Sequence, residues 1–329
     1  MNLLDMWGSS WAIEPNKLLE ISSVYARYSR GDRIDIAALE SKLGRKLNNE
    51  QKSYTTNQGV AILPIEGVIA KRMNMFSQIS GGTSSQMAAA ALQQALSDPG
   101  VHSIILAIDS PGGTVDGTQV LADAVLAARS SGKAIVTLGS GTMCSAAYWI
   151  GSAAQAVYIA ESTTVVGSIG VVTTHQDISK AQEKEGVKTT EISAGKYKRI
   201  ASSYAPLSAD GRKTIQDQLD YTYSIFVDAV AKNRNVSPAA ALAMADGRIF
   251  QGQQAIDAGL VDGITTMDAL IKRLSADRKA GKAPSADAVQ RPQPLTMIEL
   301  DKAAKAYMAQ NAGVTYLDAV KKFEHPAFV

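Results

Sequence analysis

Short apolar segments rich in β-branched residues alternate with helical segments from Val60 onward, and this alternation restricts the fold more than any other feature. Three apolar segments have the continuous hydrophobic character of strands buried on both faces: VAILPIEGVIA, SIILAIDS and AIVTLGSG. Two segments between them have helical length and end in turn residues: SSQMAAAALQQALSDPG and VDGTQVLADAVLAARSSGK. The pattern predicts an α/β fold with a largely parallel sheet.

Further strands and a long helix are predicted downstream. The predicted strands are AVYIAE, GSIGVVTTH and KTTEISAG. The segment that follows them predicts an amphipathic helix over 210–233, with an apolar face made of Ile215, Leu219, Tyr223, Phe226, Val227 and Val230. Such a face is typical of a helix that packs on a core.

Composition divides the chain into four parts. Residues 1–57 are mixed and charged and indicate an N-terminal extension, whereas residues 58–275 hold the α/β pattern. Residues 276–296 are rich in Ala, Pro, Lys and Ser, which is typical of a flexible linker. The last part, residues 297–329, predicts a separate helical tail.

Charge and hydropathy exclude several functional classes. The net charge is +2 and no basic tract is present, so we expect no nucleic-acid partner. No apolar run reaches the roughly 18 residues of a membrane span, and Asp5 and Glu14 interrupt the N-terminal apolar stretch. We therefore expect no transmembrane segment and a cytoplasmic location. The single cysteine excludes an internal disulfide.

The motif DSPGG, Asp109–Gly113, ends one predicted strand and precedes a predicted helix. Its glycines allow the backbone to approach a ligand closely, and adjacent N–H groups in such a turn can stabilise an oxyanion. A tight turn between strand and helix, which any α/β fold needs, explains the same residues equally well. The motif alone leaves both interpretations open.

The stretch GTMCSAAYWIGSAA places Cys144 beside Ser145 at a predicted helix start. Either side chain can act as a nucleophile if a base and an oxyanion hole lie nearby. A serine at a helix start also commonly serves as an N-cap. The choice among these roles depends on the base.

The candidate bases are three histidines and two lysines. His102, His175 and His325 lie outside any glycine-rich or helix-start context, so nothing in the sequence supports a Ser-His-Asp triad. Lys196 and Lys198 follow a predicted strand, in a segment rich in small residues. A lysine can act as a general base only if its surroundings lower its pKa, and most loop lysines are simply solvated.

Four motifs in sequence order resemble the S49 peptidase family, which includes signal peptide peptidase A and phage prohead proteases: DSPGGTV, GTMCSAAYWIGSAAQAVYIAESTTVVGSIGVV, SAGKYKRIASSYAPLS and GRIFQGQQAIDAGLVD. The resemblance covers about residues 58–275. It implies an α/β, ClpP/crotonase-like fold with stacked βαβ units and a Ser-Lys dyad, to which the N-terminal extension and the C-terminal helical tail are added.

The resemblance assigns roles to individual positions. Ser145 matches the family's nucleophile, although many members have glycines where this chain has Ala146 and Ala147. Gly113, with Gly112 beside it, matches the oxyanion-hole turn, and the N–H group of Ala146 joins it.

The resemblance also assigns the base. Lys198 matches the general base, three residues after Gly195, and is preferred to its competitor Lys196. Cys144 is then expected to be a small buried side chain, because neighbouring side chains on a helix point in different directions.

These roles imply a serine endopeptidase that needs no metal or nucleotide. The WAIEP opening, the linker and the tail are similar to prophage-encoded members, which process capsid and scaffold proteins in the bacterial host, inside a procapsid. Degradation of cleaved signal peptides is the alternative within the family. A proteolytically inactive crotonase-like protein that scaffolds or binds acyl groups is the alternative from another class. Small members of the family form rings, so we expect a homo-oligomeric ring with dyads shared between protomers.

Overall fold

A computed structural model describes residues 10–14, 17–18, 53–72, 82–280 and 305–311 of the chain. Most of the predicted linker at 276–296 and of the predicted tail at 297–329 lies outside these residues. Within the tail, residues 305–310 are helical.

The strands are, in chain order, β1 (Trp11–Ile13), β2 (Thr55–Asn57), β3 (Val60–Glu66), β4 (Val68–Ala70), β5 (Gly82–Ser84), β6 (Ser103–Ser110), β7 (Gly112–Thr114), β8 (Ala134–Cys144), β9 (Ala156–Ile159), β10 (Val165–Gly167), β11 (Ile249–Gln251) and β12 (Gly263–Ile264). The helices are α1 (Ser85–Ser97), α2 (Thr118–Ala128), α3 (Ala146–Ser152), α4 (Ser179–Lys184), α5 (Ala209–Arg234), α6 (Pro238–Ala243), α7 (Gly252–Asp257) and α8 (Met267–Lys279).

The larger sheet contains the three apolar strands that the sequence predicts. Its order is β11-β10-β8-β6-β3-β2, and β9 joins β8 to β12 beside this path. The central strands β3, β6 and β8 are parallel, whereas β2 and β11 pair antiparallel at the edges. The predicted α/β fold with a largely parallel sheet is therefore confirmed.

The strand β8 changes its partner along its length. Its residues Val136–Gly139 pair with β9, and its last residues, Thr142–Cys144, pair with β10. Strands β9 and β10 both pair with the edge of β8 that faces away from β6. The sheet therefore divides near the end of β8. Helix α3 begins one residue after that end.

A smaller sheet of order β1-β7-β4-β5 adjoins the larger one. Strands β3 and β6 are paired up to Glu66 and Asp109, and their continuations β4 and β7 pair in the smaller sheet. The crossing is fixed by the Gly67 N–H, which donates to the Asp109 carbonyl at 2.9 Å, and by the Ser110 hydroxyl, which donates to the Gly67 carbonyl at 2.6 Å.

The long predicted helix is α5, and its apolar face is buried unevenly. Phe226, Val227 and Val230 near its end are buried in the main core, whereas Ile215 and Leu219 nearer its start are only half-buried. The first half of α5 therefore leaves part of its apolar face uncovered within one chain.

The predicted strand KTTEISAG is wrong for this chain. Residues 188–195 have no strand pairing and lie in an exposed arm, residues 178–203, in which Ile192 is 95% exposed. The arm is closed at its base, where the Ile178 N–H donates to the Ser203 carbonyl at 2.8 Å. A strand needs a partner strand, and the described residues of the chain offer none here.

Within the described ranges, no helix is long and apolar enough to cross a membrane.

A buried ion pair ties the end of α5 to the segment before β12. The Arg234 guanidinium donates to both Asp262 carboxylate oxygens, at 2.9 and 2.7 Å, and the two side chains are 2% and 4% exposed. Asp262 also accepts the Val157 N–H at 2.8 Å, which connects the pair to β9. Both charges are thus satisfied by several hydrogen bonds, as buried charges must be.

Asp262→Ala should lower the free energy of unfolding by about 3–5 kcal/mol, because it leaves the Arg234 charge buried without its partner. Chemical denaturation measures the effect. Asp217→Ala is the matched control, since Asp217 pairs with Lys213 on the solvent-exposed side of α5 and its loss should leave stability close to wild type. Equal stability of the two variants would contradict the role of the buried pair.

Candidate active site

Ser145 lies between the end of β8 and the start of α3, as the sequence predicts. Its backbone has φ 56° and ψ −118°, an uncommon conformation for a residue other than glycine. Its N–H donates to the Gly167 carbonyl of β10 at 2.8 Å, so pairing with the neighbouring strand holds the conformation. Strain of this kind costs about 1–3 kcal/mol and is concentrated at functional sites.

The serine does not act as a helix cap. It occupies the N-cap position of α3, but its side chain accepts no hydrogen bond from the helix. Its Oγ lies 3.5 Å from the Gly170 carbonyl, to which it can donate, and the residue is fully buried. The hydroxyl is therefore not used to stabilise the helix, in contrast to the capping interpretation of the sequence.

Helix α3 is buried on all sides, which fixes the position of Ser145. All seven of its residues are buried, and Trp149 stacks on Phe226 with ring centroids 4.4 Å apart. The carbonyls beyond its end are capped by Arg129, which donates to Ala153 at 2.7 Å and to Ala154 at 2.6 Å. Arg129 thus supplies donors to the carbonyls that follow the end of α3.

The glycine turn of the DSPGG motif lies in the smaller sheet, at the start of β7. A Cβ atom on Gly113 would lie 1.8 Å from the Ile69 carbonyl oxygen, so no other residue fits. Gly112 has φ 104°, and a Cβ atom there would lie 2.3 Å from the Ala12 carbonyl oxygen. The Gly112 N–H donates to the Ser110 hydroxyl at 3.2 Å, which leaves the Gly113 N–H as the donor that faces β1.

The first strand, β1, pairs antiparallel with this turn. The register pairs Ala12 with Gly113. On either side of this pair, the Val115 N–H donates to the Ser10 carbonyl at 3.2 Å and the Glu14 N–H donates to the Pro111 carbonyl at 2.9 Å. Hydrogen-bonded pairs alternate in an antiparallel ladder, so the Gly113 N–H donates to the Ala12 carbonyl.

The pairing of β1 was missed by the sequence reasoning, which treated residues 1–57 as an extension. The only local signal is the three-residue apolar run WAI before Glu14, and so short a run does not identify a strand.

The proposed base is not brought to Ser145 within this chain. Lys198 lies in the exposed arm, where its backbone N–H donates to the Gly195 carbonyl at 3.0 Å. In the described part of the chain it makes no hydrogen bond to Ser145. The competitor Lys196 is also exposed, and its amine lies 5.0 Å from the centre of the Tyr197 ring.

The two histidines among the described residues have other hydrogen-bond partners than Ser145. His102 contacts the Ser103 hydroxyl and the Gln58 carbonyl, and His175 contacts the Ser202 carbonyl in the base of the arm. His325 lies outside the described residues.

Cys144 is a buried side chain at the end of β8. Burial raises the pKa of its thiol to about 12, and the nearby Glu14 carboxylate adds to the rise. The thiolate is the reactive form of cysteine, so this thiol is not a nucleophile at neutral pH.

These features define a ClpP/crotonase-like α/β protein with a buried serine at the head of a short helix. The sequence profile of peptidase family S49 matches residues 127–281, which include both Ser145 and Lys198.

Three relatives support the same assignment. Capsid assembly protease C of Escherichia phage lambda is 35% identical over 72% of this chain and 56% of its own length. The "Putative signal peptide peptidase SppA" of Enterococcus faecium is 30% identical over 68% of this chain and 65% of its own length. A "Putative protease" of Synechocystis sp. is 32% identical over 65% of this chain and 77% of its own length. The chain belongs to peptidase family S49.

The chain spans little more than half the length of the lambda protein that it matches.

Cys144 should be almost inert towards Ellman's reagent in the folded protein at pH 8. A pKa of about 12 lowers the thiolate fraction about a thousandfold relative to an ordinary thiol. Because the chain has a single cysteine, the protein unfolded in guanidinium is the internal control. Equal reaction rates for the folded and unfolded protein would show that the thiol is accessible and ionised.

Proposed function

We propose that this protein is a serine endopeptidase with a Ser145–Lys198 dyad. The observation that carries the proposal is the conformation of Ser145. Its backbone is strained at the start of the fully buried helix α3, and its hydroxyl does not cap that helix. In a member of peptidase family S49, a rigidly held hydroxyl that does not cap its helix is the natural nucleophile.

The proposed reaction is acyl transfer through an acyl-enzyme. Neutral Lys198 accepts the Ser145 hydroxyl proton as the oxygen attacks a peptide carbonyl, and the carbonyl π electrons move to its oxygen. When the C–N bond breaks, the lysine returns the proton to the leaving amine. Water then attacks the ester in the same way and releases the second product.

The oxyanion is held by two backbone donors. The Gly113 N–H already faces a carbonyl in the smaller sheet. Ala146 is the first residue of α3, and the N–H of a first helical residue has no partner within the helix. The helix dipole adds positive potential at the same point. One such donor typically contributes about 10²–10³ to the rate.

Lys198 is supplied, in this proposal, by a neighbouring copy of the chain. The arm that carries it is exposed in one chain and presents Val187, Ile192 and Tyr197 to solvent. The uncovered first half of α5 follows the arm directly. Exposed apolar side chains in a segment without strand partners favour contact with another subunit, consistent with a homo-oligomeric ring.

The proposed substrates are polypeptides, and the favoured role is cleavage of capsid or scaffold proteins during phage head maturation. The similarity to a protein named as a capsid assembly protease supports this role. Degradation of cleaved signal peptides is the second candidate, supported by the relative named as a signal peptide peptidase. An inactive scaffolding or acyl-binding protein is the candidate of another class, and the intact serine and lysine disfavour it.

Ser145→Ala should abolish peptidase activity and leave the fold intact, because it removes one oxygen that caps nothing. Labelling by a fluorophosphonate probe, located by peptide mass spectrometry, measures the reactivity of Ser145 directly. Cys144→Ala is the matched control at the neighbouring position and should keep most of the activity. A folded wild type that neither labels nor hydrolyses a denatured protein substrate, even at high probe and substrate concentrations, would favour the scaffolding or acyl-binding class.

Lys198→Ala should lower kcat by at least about a hundredfold, which is the usual contribution of a general base. Lys196→Ala removes the same charge two residues away in the same arm and should retain activity. The assignment is reversed if Lys196→Ala is inactive and Lys198→Ala is active.

Mixing the two inactive proteins Ser145→Ala and Lys198→Ala should restore part of the activity. In a mixed oligomer, some interfaces join an intact serine to an intact lysine from the neighbouring subunit. Subunit exchange is verified with differently tagged chains by native mass spectrometry. If exchange occurs without recovery of activity, the dyad forms within one chain.

A further inference from the structure

Residues 10–14 lie as a middle strand between two edges of the candidate active site. On one side β1 pairs with β7, in the register that joins Ala12 to Gly113. On the other side Trp11 exchanges two hydrogen bonds with Val172, at 2.9 and 2.8 Å. A segment far upstream in the sequence thus joins β7 in a ladder and Val172 in a single bridge.

The middle strand and the residue before the serine both border Gly112. A Cβ atom built on Gly112 would lie 3.0 Å from the Ile13 Cα and 3.0 Å from the Cys144 carbonyl oxygen. Glu14 is close enough to Cys144 to raise the pKa of its thiol. Ser145, the next residue, has no exposed surface.

The register brings a peptide carbonyl to the proposed oxyanion donor. The Ala12 carbonyl accepts from the Gly113 N–H, the group that would stabilise the oxyanion of a bound substrate. The Ala12 carbonyl therefore occupies a donor that the carbonyl of a bound substrate would use.

The side chains of the middle strand are as buried as the core. Trp11 and Ile13 are 3% exposed, and Ala12 is fully buried and packs in the main hydrophobic cluster with Ile69. In this packing, the space at position 12 accommodates the methyl side chain of Ala12. A long charged side chain at this position would have to carry its charge into the core.

We propose that residues 10–14 occupy the peptide-binding cleft of their own chain and keep the active site closed until they are displaced. This segment is called the occupant. The same register defines the peptide chemistry of the cleft: an extended chain with a small side chain at the position of Ala12 and larger apolar side chains on both sides. The inference rests on the proposed function, but peptide binding in the cleft can be measured without catalysis.

Tethering makes the occupant a strong competitor. A segment linked to the same chain acts at an effective concentration of about a millimolar. A peptide added from solution must overcome this competition before it pairs with β7. Displacement of the occupant should therefore raise the apparent affinity for such a peptide by at least about tenfold.

Peptide binding to a catalytically inactive protein tests the inference. The full-length chain carries Ser145→Ala together with either Ala12→Arg, which expels the occupant, or Ala90→Arg, which adds the same side chain at an exposed position of α1. A fluorescent peptide with the sequence of residues 8–16, GSSWAIEPN, is titrated with each protein, and its anisotropy is measured.

The Ala12→Arg protein should bind the peptide at least about tenfold more tightly than the Ala90→Arg protein. A peptide with arginine in place of its alanine should bind neither protein. Equal affinities for the native peptide would overturn the inference. Should Ala12→Arg fail to fold by circular dichroism, Trp11→Pro replaces it, because proline removes the N–H that donates to Val172.

A second measurement separates this inference from the proposed activity. With Ser145 present, Ala12→Arg should speed fluorophosphonate labelling relative to Ala90→Arg. A difference in peptide affinity without labelling of either protein supports the occupant and contradicts the peptidase. Equal labelling of both proteins with equal peptide affinities supports the peptidase and contradicts the occupant.

Discussion

The complete burial of α3 is the constraint on which the candidate site depends. A seven-residue helix has little stability of its own, because nucleation is costly and few hydrogen bonds follow. Here the core encloses it, Trp149 stacks on Phe226, and Arg129 satisfies the carbonyls at its end. With the helix immobilised, the strained backbone of Ser145 has no room to relax. The position of the hydroxyl is thus set by packing at a distance from it.

The second half of the site is built where main-chain segments come closest together. Gly113 lies so near the Ile69 carbonyl that any side chain would collide with it, and Gly112 takes a positive φ beside Ala12. Strands β4 and β7 can approach each other and β1 only because these positions lack Cβ atoms. The same absence leaves the Gly113 N–H accessible to a peptide carbonyl.

The sequence was most informative where structure depends on local pattern. Apolar runs and helical segments predicted the parallel sheet, and the small residues after Ser145 predicted a helix start. It was least informative where pairing partners are distant in the chain. Nothing near Trp11 indicates that it pairs with Val172, and residues 188–195 were predicted as a strand that has no partner among the described residues. Likewise, the base proposed for Ser145 depends on contacts that no local pattern records.

The double pairing of β1 has a further consequence for the protein in solution. When the segment leaves, β7 on one side and Val172 on the other each present unpaired N–H and carbonyl groups. Open edges of this kind recruit any extended chain, including those of other copies, and lead to aggregation. In the proposed closed state, residues 10–14 therefore cover the edge of β7 and the backbone groups of Val172 as well as the serine. At high protein concentration, an emptied cleft would be refilled by its own segment or by an extended segment of a neighbouring molecule.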